Sequence, residues 1–440
     1  MKNLKQTDPQ IYDLIKAEEK RQEDVLEMIP SENYTSQAVM EALGSVLTNK
    51  YSEGFPGKRY YQGNANADAV ETLAQERAKK LFDVPYVNVQ PLSGSPANSA
   101  IYFATLENGQ KIMGLSLPMG GHITHGHKLG LSGRLFSFVH YELGANDQLD
   151  YDAIEKMALK EKPQLLICGF TAYSRRIDFK RFGQIADKVG CYLMADISHI
   201  TGLVVAGVHP TPVPYVDIVM TTTHKTLRGP RGAMIMVTEK GLKKNPDLPK
   251  KIETAIIPGL QGGPHDNQTA AIAVALKEAS TAKFQKYGEQ VVANAAALAA
   301  DLIKEGFDVV SGGTDNHLLL VDLRKKKVNG RVAALALEKA GIVLNYNGVP
   351  GDPMPPLFAS GIRLGTPAIT TRGMKEKEMK KIAVWYARAI AEVTGMALPK
   401  DDKEKRSALM KEYRAAIAKN KNLAAIAKEI KAFCVKYPLP

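Results

Sequence analysis

Between residues 86 and 237 the chain presents six short apolar runs: "YVNVQ" (86–90), "KIMGLSL" (111–117), "QLLICGF" (164–170), "CYLMADI" (191–197), "DIVMTTT" (217–223) and "GAMIMV" (232–237). Runs of this length and composition read as strands. Helical spacing alternates with them, as at Asp68–Phe82 and Phe179–Val189. Such alternation constrains the chain to an α/β layer with a largely parallel sheet.

From about residue 265 the character changes. "QTAAIAVALKEASTAKFQKYGEQVVANAAALAADLIKEG" reads as a long alanine-rich helical region with little interruption. It leads to a further strand, "HLLLVDL" (317–323), a helix near 330–340 and a terminal helical region. A chain of 440 residues is too long for one simple core. The expected division is an N-terminal helical arm over 1–50, a large α/β domain over 51–275 and a smaller C-terminal α/β domain over 276–440.

Composition removes several classes of function. No uncharged apolar run reaches membrane-spanning length, and the N-terminus "MKNLKQTDPQ" lacks the apolar stretch of a signal peptide. Cys168, Cys191 and Cys434 have no metal spacing and read as reduced thiols of a cytoplasmic protein. The net charge is +12, and residues 401–440 carry ten Lys/Arg against five Asp/Glu. There "RSALMKEYRAAIAKNKNLAAIAKEIKAF" shows helical spacing without an aromatic-plus-basic motif, so it reads as solvated surface helices. No membrane or nucleic-acid partner is expected, whereas anionic small substrates suit the overall field.

Chemistry begins at Lys225, in "DIVMTTTHKTLRGPRGAMIMV" (217–237). A lysine closing a strand more often reaches out to solvent. Asp196, however, closes the preceding strand, and two strands delivering Asp and Lys to one sheet edge place them where α/β sheets bind ligands. An amine beside a cofactor can form a Schiff base, and a carboxylate can keep a pyridine nitrogen protonated, which points to pyridoxal phosphate. "PLSGSPAN" (91–98) offers Ser93, Gly94 and Ser95 at a helix start for a dianion, although such turns are also common linkers. "MGGHITHG" (119–126) sets His122 and His125 beside glycines. No neighbouring Cys or carboxylate completes a metal set, so no metal is expected, and an imidazole lying over an aromatic cofactor fits better. Arg363, in "SGIRLGTPAITTRG", is a guanidinium in an apolar segment that needs an anion, from a substrate or from the protein itself. "NKYSEGFPGKRYYQG" (49–63) gathers Tyr51, Glu53, Tyr60 and Tyr61 in a Gly/Pro-broken loop, for function or for ordinary packing.

Together the motifs resemble the serine hydroxymethyltransferase family over about residues 10–395. "IPSENYTS", "LTNKYSEGFPGKRYY", "QPLSGSPAN", "GGHITHG", "TTTHKTLRGPRG", "PGLQGGP", "TDNHLLLVDL" and "SGIRLGTPAITTRG" all stand where that family has its signatures. The resemblance implies a pyridoxal-phosphate-dependent transferase fold of the aspartate aminotransferase-like kind, a large domain with a mostly parallel sheet plus a smaller C-terminal α/β domain. It implies reversible transfer of the hydroxymethyl unit of L-serine to tetrahydrofolate, giving glycine and 5,10-methylenetetrahydrofolate. The alternative is a folate-independent aldolase of β-hydroxy amino acids on the same fold.

Residue by residue, Lys225 matches the Schiff-base lysine, Asp196 the partner of the pyridine nitrogen and His122 the stacked imidazole. His199 matches the histidine beside the cofactor's hydroxyl and the substrate. Ser93, Gly94 and Ser95 match the phosphate cup, with His224 next to it. Arg363, assisted by Ser31, matches the substrate-carboxylate clamp. Tyr51, Glu53, Tyr61 and Gly263 are implied to reach the site from a partner subunit, hence a homodimer with shared sites, its pairing into tetramers left open. There Tyr51 and Gly263 would face the cofactor and Tyr61 the substrate. Glu53 would be the acid–base group near the hydroxymethyl unit and folate, and Leu117 and Asn347 would line the folate site. The chain departs from the family pattern at Gln62, Asn64–Ala65, Pro96, Pro118–Met119 and Ser198, the last standing in place of alanine.

Overall fold

The structure is a computed structural model that describes residues 2–440; Met1, the first residue of the expected arm, lies outside the described residues. Thr35–Val292 forms one compact unit and the remainder of the described chain forms another.

The Thr35–Val292 unit is built on a seven-stranded sheet. Its strands are β1 (Tyr86–Asn88), β2 (Lys111–Leu115), β3 (Ser137–Tyr141), β4 (Leu165–Cys168), β5 (Tyr192–Asp196), β6 (Ile218–Thr222) and β7 (Ala233–Val237), in the spatial order β1-β7-β6-β5-β4-β2-β3. The six apolar runs all become strands. Alternate residues feed opposite faces, as a period of two requires. Leu166, Cys168, Met234 and Met236 join one apolar core, whereas Leu165, Ile167, Ile235 and Val237 join the other. Helices α1 (Ala65–Phe82) and α3 (Phe179–Val189) contribute to the first core, and α2 (Gly94–Thr105) contributes Ala97, Ala100 and Ile101 to the second. Each fully buried Leu, Ile or Phe adds roughly 1.5–3 kcal/mol to such a sandwich. The seventh strand, β3, was not among the apolar runs. It lies at the sheet edge, and its sequence "SFVHY" is only partly buried, so it carries no continuous apolar signature.

Direction matters more than order for function. From β6 through β5, β4 and β2 to β3 all neighbours pair in parallel, and β7 is antiparallel to both β6 and β1. Strands β1 to β6 therefore all end at one edge. There β1 leads to Ser93 and the start of α2, β2 to the Leu117–His122 segment, β5 ends in Asp196, and β6 runs on to Lys225.

Helix α4 (Asp266–Ala279) and helix α5 (Ala282–Lys304) make up the alanine-rich region. The break between them has a local cause. The Ser280 and Thr281 hydroxyls bond back to the Lys277 and Glu278 carbonyls at 2.7 Å each, which competes with helix continuation.

The second unit carries an antiparallel sheet of β8 (Asp308–Val309), β9 (Leu318–Asp322), β10 (Asn345–Asn347) and β11 (Gly361–Gly365), in the order β8-β9-β11-β10. Helix α6 (Gly330–Lys339) follows the expected position. The expected divisions at residues 50 and 275 do not coincide with the compact units, which part after Tyr34 and within α5. The N-terminal segment is held by backbone bonds. Leu26–Glu27 pairs in parallel with Ile342–Val343, and the Arg372 guanidinium takes the carbonyls of Gln22, Glu23, Val25, Cys434 and Tyr437. Among the described residues no helix is long and apolar enough to cross a membrane.

Candidate active site

A small cavity opens at the edge where the parallel strands end, and Gly94, Asn98, His122, His125, Asp196, Ser198, His199, Thr222 and Lys225 are among its walls. The sequence motifs from four separate segments thus converge. Asp196 and Lys225 are both nine-tenths buried.

Asp196 is the electrostatic centre. Its Oδ1 accepts from the Ser198 hydroxyl at 2.6 Å and the Ser198 backbone N–H at 3.1 Å, and its Oδ2 accepts from Asn98 Nδ2 at 3.2 Å. His125 Nε2 stands 3.7 Å from Oδ2, close enough to act as a charge but long for a hydrogen bond. Burial by itself would raise the Asp196 pKa. The neighbouring His125, with His122 and Lys225 beyond it, outweighs burial and keeps the carboxyl well below the usual range. The chain thus holds a buried, ionised carboxylate at the end of β5.

The histidines are oriented by their neighbours. Asn98 Nδ2 also donates to Thr124 Oγ1 at 2.8 Å, and Thr124 Oγ1 lies 2.7 Å from His122 Nδ1. His122 N–H donates to His125 Nδ1 at 3.2 Å, so in neutral His125 the remaining proton sits on Nε2, the atom nearest Asp196.

Lys225 sits on a loop tied down by the very threonines that surround it. Thr223 Oγ1 donates to Pro230 O at 2.6 Å, and Thr226 Oγ1 donates to His199 O at 2.9 Å while accepting from Gly202 N–H at 2.9 Å. Thr221 bonds Thr201 and its own neighbour's carbonyl. These hydroxyls build the loop, and only Thr222 keeps a buried Oγ1 without a partner, in the cavity wall. His224 is mostly buried. Burial, with Lys225 and Arg231 nearby, pushes its pKa down to about 3, so it is neutral at physiological pH.

The start of α2 makes an anion cradle. Ser93 is the N-cap residue, and Gly94 and Ser95 open the first turn, where backbone N–H groups have no intrahelical acceptor. Pro96 lacks an N–H and costs little there. A Cβ at Gly94 would come 2.8 Å from Thr222 Cγ2, so glycine is what lets α2 close on the end of β6.

Tyr51, Glu53, Tyr61 and Gly263 come together, though not among the cavity walls around Lys225. Tyr51 OH and Tyr61 OH donate to the two Glu53 oxygens at 3.2 and 3.3 Å, and a Cβ at Gly263 would lie 3.4 Å from the Tyr51 ring. Both tyrosines are exposed, Tyr51 by 55% and Tyr61 by 46%. The loop that carries them is anchored from beneath by Arg59, which sequence reasoning missed. Its buried guanidinium pairs with Asp68 at 2.8 Å and Glu71 at 2.6 Å and bonds the Ser52 and Gly54 carbonyls. Leu117 lies in a single exposed turn just after β2.

Arg363, Ser31 and Asn347 belong to the second unit. Arg363 is on β11, opposite Asn345 of β10, and its Nε donates to Asn345 Oδ1 at 3.0 Å. Burial pulls its pKa down to about 10, which leaves it cationic near neutrality. Asn347 closes β10, and Ser31 lies half-buried in the turn after Leu26–Glu27.

Asn98, Thr124, Ser198 and Thr222 were not singled out as ligands from sequence, because a lone Asn, Ser or Thr carries no spacing signal. The set fits one kind of group. Buried polar atoms at Asn98 Oδ1 and Thr222 Oγ1 lack partners, an ionised carboxylate faces inward, and an anion cradle flanks a lysine. A phosphorylated aromatic aldehyde with a basic ring nitrogen meets each of these features.

Comparison with known proteins agrees with this chemistry. The family model for serine hydroxymethyltransferase matches residues 4–386. A serine hydroxymethyltransferase of Desulfotalea psychrophila is 51% identical over 440 residues, covering 100% of this chain and 96% of its own. One from Acidothermus cellulolyticus is 55% identical over 91% of each chain, and one from Legionella pneumophila 54% identical over 87% of this chain and 91% of its own.

Proposed function

The chain belongs to the serine hydroxymethyltransferase family and transfers the hydroxymethyl unit of L-serine to tetrahydrofolate, giving glycine and 5,10-methylenetetrahydrofolate, and from that premise we propose how its own residues divide the work. The enzyme depends on pyridoxal 5′-phosphate, whose carbonyl condenses with amines and whose protonated ring accepts electron density. The family assignment does not favour the folate-independent aldolase reading.

Lys225 would hold the cofactor through its amine, at the carbonyl that the amine of serine also needs. Asp196 holds the proton at the ring nitrogen. His122 and His199 would hold the cofactor's ring and its hydroxyl. The Gly94 and Ser95 N–H groups, with Ser93 and the neutral His224, hold the phosphate. Arg363, assisted by Ser31, would take the serine carboxylate and so fix the orientation of the substrate. Glu53 moves the proton at the hydroxymethyl oxygen, and Leu117 and Asn347 line the folate subsite.

Tyr51, Glu53, Tyr61 and Gly263 serve the site of a second copy of the chain. Their exposure supports a homodimer in which each protomer completes its partner's cavity. The three buried free cysteines suit a reducing, cytoplasmic location.

The observation that carries this reading is a buried, ionised Asp196 at the end of β5, beside the strand that delivers Lys225. Lys225→Ala is the test. The variant should lose the visible absorbance of covalently held cofactor and slow turnover by about 10³-fold. A wild-type spectrum from that variant would assign the covalent link to another residue.

A further inference from the structure

The Ser198 hydroxyl sits between two groups whose geometry dictates which way its proton points. Thr222 N–H donates to Ser198 Oγ at 3.0 Å, so the oxygen already accepts. Ser198 Oγ is 2.6 Å from Asp196 Oδ1, the distance of a hydroxyl donating to a charged acceptor, and the proton therefore lies on the carboxylate side. The Ser198 backbone N–H reaches the same Oδ1 at 3.1 Å. Two donors on Oδ1 leave Oδ2 on the side of Asn98 and His125, both walls of the cavity. Thr222 closes β6 and Asp196 closes β5, so the hydroxyl also clips the ends of the two strands together where Lys225 follows. Ser198 is buried, 5% exposed.

We propose that Ser198 is a positioning residue that sets the strength of Asp196 as a proton acceptor. Donation into Oδ1 spreads the carboxylate charge, lowers its proton affinity and fixes its rotamer, so the proton shared with the cofactor's ring nitrogen stays on nitrogen. This rests on the reading above that Asp196 faces that nitrogen. Without the hydroxyl the carboxylate becomes more basic and draws the shared proton toward oxygen. The ring is then a weaker electron sink although Asp196 itself is unchanged.

The test is nuclear magnetic resonance of the ring nitrogen in holoenzyme loaded with isotope-labelled pyridoxal phosphate, comparing wild type, Ser198→Ala, Ser198→Thr and Asp196→Asn. In Ser198→Ala the ring-nitrogen resonance should move toward that of neutral pyridine. Ser198→Thr, which keeps the hydroxyl, should restore the wild-type resonance. An unmoved resonance in Ser198→Ala overturns the proposal, provided Asp196→Asn moves it. If neither variant moves it, the fault lies with the assignment of Asp196 instead, and the Ser198 proposal falls with it. Should Ser198→Ala fail to fold, Ser198→Cys, a weak donor of similar size, is read by the same criterion.

Discussion

His224 illustrates how the site sets a single group's titration. The folded chain holds its imidazole neutral down to about 3, against an ordinary value of 6.5, because burial and the cations at Lys225 and Arg231 oppose protonation. The unfolded chain takes up the proton first. Stability is therefore fully present above pH 6.5 and is lost as pH falls from there toward 3. For cofactor-free protein, His224→Asn should remove about 2 kcal/mol of the acid destabilisation seen in wild type between about pH 7 and pH 5. Urea unfolding at the two pH values measures it, and equal losses in the two proteins would mean that His224 does not titrate as described. Lys225, Asp196 and His122 were legible in the sequence because each has a chemistry few residues share. Ser198 appeared there only as a departure from the family pattern, and its hydroxyl is informative only because folding sets it beside Asp196.

Among the elements, the loop carrying Glu53 shows how a functional segment depends on a charge beneath it. The Arg59 side chain is almost wholly buried and is the cation for a buried Glu71, which also accepts from Gln90 at 2.9 Å and Gln75 at 3.3 Å. Burial raises the Glu71 pKa, and Arg59 opposes that rise. Arg59→Ala would strand Glu71 and release the Ser52 and Gly54 carbonyls, at about 3–5 kcal/mol. Thermal unfolding should show the loss, and Arg59→Lys should recover little of it, because an ammonium cannot span two carboxylates and two carbonyls in one plane. Melting unchanged in Arg59→Ala would mean the loop is held by other contacts. Strand positions were legible wherever both faces are buried. Edge strand β3 was not, because of its five residues only Tyr141 is fully buried. The break between α4 and α5 was missed for a different reason, since alanine spacing continues across it while two hydroxyls bond backward.

On the scale of the whole molecule, the exposed Tyr51–Glu53–Tyr61 cluster and the Lys225 cavity are the two halves that a homodimer with shared sites would join. Mixing Lys225→Ala with Glu53→Ala protein after dissociation and reassociation should restore about a quarter of wild-type activity, since half the dimers then carry one intact site of two. No recovery despite subunit exchange would place both residues in the site of one chain. The alternation of apolar runs with helices by itself determined the α/β class, because a strand buried on both faces must be apolar throughout. The motifs determined the family, because Lys, Asp, His and Arg bear chemistry wherever they fall. The tertiary structure alone decided that residues 2–34 join the C-terminal unit, through backbone pairing of Leu26–Glu27 with Ile342–Val343. It alone also decided which hydroxyls build the lysine loop, which one bonds Asp196 and which remains in the cavity. Backbone hydrogen bonds and small polar side chains have no identity until folding gives them neighbours. A period, a charge or a ring already has one in the chain.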